Sequence, residues 1–120
     1  ISSVAFVFLR GDNDRLKDLR LAYDYIKTLD KPVYADDRSV KAFSYINKYS
    51  DSIKVSEYPK DMSGIRDSYI VINKRMIKGL KDANKNRIFP DEIENPPKKW
   101  VLVNEIGSND EDKIIIYYAQ

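Results

Sequence analysis

The chain contains no cysteine and no histidine. The first absence removes disulfides and thiol nucleophiles. The second removes the usual general base near neutral pH, and together they remove zinc sites of ordinary composition. Ser–His–Asp and Cys–His catalysis are therefore excluded within this chain. Carboxylate-only metal sites and paired-carboxylate hydrolysis survive. Glycine is scarce too: Gly11, Gly64, Gly79 and Gly107 stand singly, whereas a phosphate cradle needs glycines clustered at a strand-to-helix turn. The apolar run near the start, Val4–Leu9, falls far short of the roughly 20 residues that span a bilayer. It also lacks the charged leader and small-residue cleavage site of a signal peptide. The first residue is Ile1 rather than methionine, which reads as a piece excised from a longer protein.

What is present describes one α/β domain. The 120 residues are 42% hydrophobic and 33% charged, enough apolar side chains for a core without staples. The net charge is +2 and evenly spread, with no basic arm, so nucleic acid is not an expected partner. Ile1–Leu9 reads as a strand, broken at Gly11-Asp12-Asn13. Leu16, Leu19, Tyr23, Ile26 and Leu29 then recur at helical spacing, with Asp12 or Asn13 as cap, until Lys31-Pro32 stops the helix. Pro32–Ala35 reads as a short buried strand delivering Asp36 and Asp37 at its carboxyl end. A helix from Ser39 to Tyr49 follows, burying Val40, Phe43 and Ile46, then a short strand over Ile53–Tyr58. Tyr69–Ile72 has the compact apolar character of a strand buried on both faces. Met76, Ile77 and Leu80 allow a short helix, weakened by Gly79. Phe89–Lys99, with three prolines, reads as an extended connection. Trp100–Ile106 and Lys113–Ala119 form an antiparallel hairpin across the acidic loop 107–112. The alternation predicts a Rossmann-like layered domain, with right-handed crossovers, a mainly parallel sheet and a C-terminal antiparallel hairpin.

Three groups of residues invite a chemical reading. Tyr34-Ala35-Asp36-Asp37 has the Tyr-x-Asp-Asp form of the metal-binding turn of reverse transcriptases, though a helix follows at once and the chain is too small for a polymerase palm. Paired acids after a strand also resemble the phosphoacceptor pocket of response-regulator receivers, but Asn73 stands where their third-strand aspartate belongs. The plainer reading is that Asp36 or Asp37 caps the next helix. Lys74, Arg75, Lys78, Lys81, Lys85 and Arg87 form a basic stretch of the kind found near anionic headgroups, or simply a solvated face. The nine tyrosines fall mostly where rings pack and hydroxyls reach water. Asp36, Asp37, Arg38 and Asn73 remain as a polar site at the strand ends. No catalytic, cofactor-binding or metal-ligating residue is assigned, and no cofactor is expected.

Three segments together resemble a known family. Tyr25-Ile26-Lys27 leads into Lys31-Pro32-Val33-Tyr34-Ala35-Asp36-Asp37-Arg38-Ser39. Ser68–Asn73 follows, and Pro96-Pro97-Lys98-Lys99-Trp100-Val101-Leu102-Val103 closes with Ile114–Tyr118. Their order is similar to that in the extracytoplasmic soluble domain of dolichyl-phosphate-mannose–protein mannosyltransferase-like membrane glycosyltransferases and their polyprenyl-phosphate-sugar-using relatives. In that family the catalytic acid sits in an early loop near the membrane, and no residue here matches it. The resemblance implies a non-catalytic accessory domain on the extracytoplasmic face of the membrane. Its partners would be the transmembrane part of its own parent chain and a glycan or protein acceptor. The alternatives are a stand-alone receiver-like or ligand-binding regulatory α/β domain, and a small carboxylate-dependent enzyme holding a divalent metal on Asp36 and Asp37.

Overall fold

A computed structural model describes residues 17–46, 55–107 and 110–120. The expected strand Ile1–Leu9, the turn after it, Leu16, Tyr49, Ile53 and the Ile46 side chain lie outside the described residues. The first described element, α1 (residues 17–26), is helical as its apolar spacing predicts, and it buries Leu19, Ala22 and Ile26. It tightens at its end, where Thr28 and Leu29 donate to the carbonyls of Tyr25 and Ile26, and Pro32 prevents its continuation.

β1 (Val33–Ala35) leads into α2 (Asp37–Ile46), then β2 (Val55–Glu57), β3 (Ser68–Asn73) and α3 (Lys74–Ala83). α4 (Asp91–Glu94), β4 (Trp100–Ile106) and β5 (Ile114–Ala119) complete the order. Among the described residues five strands form one mixed sheet in the order β2-β1-β3-β5-β4. β1 is parallel to both β2 and β3, whereas β5 is antiparallel to β3 and to β4. The expected hairpin is therefore present. Its second strand docks on β3, so antiparallel pairing reaches further into the sheet than a mainly parallel reading expects. The reason lies in composition: Ile114-Ile115-Ile116 is buried throughout, whereas β4 exposes Val101, Leu102 and Val103 and takes the edge.

Alternation along the strands divides the core in two. Val33, Ala35, Val71 and Ile116 pack with Leu19, Ile26 and Phe43 of α1 and α2. Ile70, Ile72 and Trp100 pack on the other face with Ile77 and Leu80 of α3 and Ile93 of α4. Leu19, Ile26 and Phe43 are thus buried where the sequence places them. The segment Phe89–Lys99 departs from an extended connection, because α4 forms one helical turn within it. Pro90 at φ −54° presets that turn, acids fill it, and buried Phe89 and Ile93 anchor it. Tyrosines pack as expected for amphipathic rings: Tyr69 meets Tyr118 at 5.0 Å between centroids, and Tyr117 meets Trp100 at 6.0 Å.

Candidate functional site

The two crossovers run in opposite directions from the middle of the sheet. The chain passes from β1 through α2 to β2 on one side, and from β3 through α3 to β4 on the other. α2 and α3 lie on opposite faces. β1 and β3 therefore flank a topological switch point, and in open α/β sheets ligands bind in the crevice beyond the strand carboxyl ends there. The residues delivered to that point are Asp36, Asp37 and Arg38 after β1, and Asn73, Lys74 and Arg75 at the end of β3.

Their side chains separate into two groups. Asp36 is buried at 1% exposure and caps α2: its carboxylate accepts the Ser39 backbone N–H at 2.9 Å and the Ser39 hydroxyl at 2.7 Å. Asp37 turns to Arg87, 50 residues away, which donates Nη2 to Oδ1 at 2.7 Å. Neither acid shares a partner with the other, and among the described residues no three potential metal-ligating side chains come together. Asn73 caps α3 by accepting the Met76 N–H at 3.2 Å. The place where a receiver carries its phosphoacceptor is thus held by a helix cap.

Arg38 and Asn73, by contrast, line one cavity of about 120 Å³ with Asp18, Arg75 and Asp112. Leu19, Met76 and Ile114 supply its apolar walls. Gly79 explains how Arg38 reaches α3: a Cβ there would sit 3.4 Å from the guanidinium Nη1. By helical propensity alone Gly79 is only a weak point in a helix, and no local pattern marks Asp18 or Asp112. A mid-helix glycine was the signal available for a close approach. Gly79→Ala is expected to raise stability by up to about 1 kcal/mol, since helix propensity improves and the methyl lands at ordinary contact distance. Thermal unfolding checks this, and a lowered midpoint would mean that the guanidinium cannot yield.

Half of the basic stretch is engaged within the fold. Lys74 donates to the Asp110 carbonyl at 3.0 Å, Lys81 pairs with Glu94, and Arg87 pairs with Asp37. Burial raises the Asp36 carboxyl above its ordinary value of 3.8, partly offset by the two bonds from Ser39. The folded protein therefore keeps this proton at pH values where the unfolded chain has lost it. The contribution of Asp36 to stability falls as pH rises from 3.8 through the raised value. Asp36→Asn, which can still cap, should remove that component from the pH dependence of the urea midpoint. An unchanged profile would assign the slope to another group.

No protein-family model matches the chain, and no curated protein or solved structure matches it either.

Proposed function

We propose that this chain is a non-catalytic accessory domain of a polyprenyl-phosphate-sugar-dependent membrane glycosyltransferase. In this reading it stands on the extracytoplasmic face, its layering is Rossmann-like, and it positions the acceptor. The observation that carries the reading is the edge strand β4, on which Val101, Leu102 and Val103 are exposed in succession. Among the described residues no strand pairs with the outer edge of β4, and such an edge with exposed apolar side chains is a surface suited to contact with another protein segment. We assign it to the rest of the parent chain. The glycosyltransferase class rests on the resemblance of the Lys31–Ser39, Ser68–Asn73 and Pro96–Val103 segments. The assignment of Asp36 to a cap and Asp37 to an ion pair supports a positioning role rather than a chemical one. No helix among the described residues is long and apolar enough to cross a membrane; in this reading the spanning part lies elsewhere in the parent.

The complete reading frame tests this reading. It should encode several apolar stretches of about 20 residues outside residues 1–120. A frame without any would overturn it in favour of the stand-alone ligand-binding domain.

A further inference from the structure

We propose that the lysine row of α3, together with the projecting Ile88, docks this domain on the surface of a bilayer that carries anionic lipid. Lys74, Lys78 and Lys81 recur at i, i+4 and i+7 on one face of α3, and Lys85 follows just past its end. Ile77 and Leu80 are buried on the side that meets the sheet, which turns the row outward. Lys74, Lys78 and Lys81 border one surface groove, and Lys81, Lys85 and Ile88 border the next, so the five share one continuous surface. From Lys74 to Ile88 there are six basic residues and one acid, Asp82, a net of +5 in a chain whose total is +2. The remainder of the chain is therefore at −3. The acids that face the row from α4 are Asp91 and Glu94, and Lys81 already holds Glu94. Lys78 and Lys85 are exposed and enter no ion pair among the described residues.

Ile88 selects the kind of partner. It is 89% exposed, more than any other large apolar side chain among the described residues. A soluble anion would engage the lysines and leave Ile88 in water. The row also extends about 10 Å from Lys74 to Lys81, which suits a plane of charges rather than one phosphate. A bilayer offers both halves of the match. Its headgroup phosphates meet the lysine ammoniums at the end of their long stems, and the acyl boundary just beneath accepts the isoleucine tip.

This inference goes beyond the accessory-domain reading and does not rest on it, since a peripheral protein without a spanning parent could use the same surface. Its test is co-sedimentation of the 120-residue chain with phosphatidylcholine vesicles, with and without phosphatidylglycerol, in competition with a poly-glutamate peptide. The chain should bind the phosphatidylglycerol vesicles, less so as salt is raised, and leave pure phosphatidylcholine in solution. Lys78→Gln and Lys85→Gln should each weaken binding roughly fivefold, the effect of one lysine at an anionic surface. Ile88→Ser, at a site too exposed to disturb the fold, should weaken it about tenfold, as expected for one isoleucine side chain kept in water. Ile88→Trp should keep the binding, and its emission should shift to the blue when vesicles are added, because the ring settles at the headgroup level. Overturning results are equal binding to both kinds of vesicle, binding untouched by Ile88→Ser, an unshifted Ile88→Trp emission, or displacement from the vesicles by poly-glutamate at equal charge. Failure to sediment with either vesicle would overturn it as well.

Discussion

Ile116→Ala is expected to lower the free energy of unfolding by about 2–5 kcal/mol. Ile116 is fully buried, lies in β5 opposite Val71, and packs in the cluster formed by α1, α2 and the sheet. Removal of its branched side chain deletes apolar contact and leaves a cavity that a central strand cannot collapse, because β3 and β4 hold β5 on both sides. Domains of this size have only about 5–15 kcal/mol of stability, so much of the native state's margin would be lost. The comparison is Leu102→Ala on the exposed edge strand, which should change stability by no more than about 0.5 kcal/mol. Urea unfolding of both variants checks the pair. Similar midpoints for the two would show that β5 does not occupy the centre of the sheet.

The second large effect is expected at Asp36. Asp36→Ala should cost about 1–3 kcal/mol, the range for leaving buried polar groups without partners. Ser39 is itself fully buried and loses the acceptor for both its N–H and its hydroxyl. Asp36→Asn should restore most of the loss, because asparagine caps about as well as aspartate. Asp37→Ala, one residue on, breaks an ion pair whose members remain a quarter to a third exposed, and should cost less than about 1 kcal/mol. Chemical denaturation of the three variants separates a cap from an equivalent acid pair. A larger loss at Asp37 than at Asp36 would reverse the assignment.

Local pattern carried much of this architecture into the sequence. Leu19, Ile26 and Phe43 repeat at helical spacing, and Tyr69–Ile72 has the compact apolar character of a central strand. Asp36 precedes a helix at the position where a cap belongs, and Trp100–Ala119 has the spacing of a hairpin. The features that escaped depend on contacts between distant parts of the chain. β5 rather than β4 joins β3, a choice set by which strand of the hairpin can be buried on both faces. Periodicity does not rank that choice. The α4 turn forms in a proline-rich segment because Phe89 and Ile93 have a core to enter, which a reading of breakers alone overlooks. The same holds for the site. Asp36, Asp37, Arg38 and Asn73 were all marked by their strand ends, but only Arg38 and Asn73 meet at the cavity. Arg87 draws Asp37 away from a separation of 50 residues, while α1 and the hairpin loop bring in Asp18 and Asp112. No local spacing encodes those encounters.

Whether this domain positions or catalyses is tested most directly by assaying sugar transfer from a polyprenyl-phosphate sugar to an acceptor with the isolated 120-residue chain. Neither strand-end acid is free for such chemistry, since Asp36 caps α2 and Asp37 holds Arg87, and the chain has no histidine or cysteine to replace them. The expected result is no transfer. Turnover by the isolated chain that disappears in the Asp36→Asn/Asp37→Asn double variant, while that variant stays folded, would contradict it and place the chemistry at the strand ends.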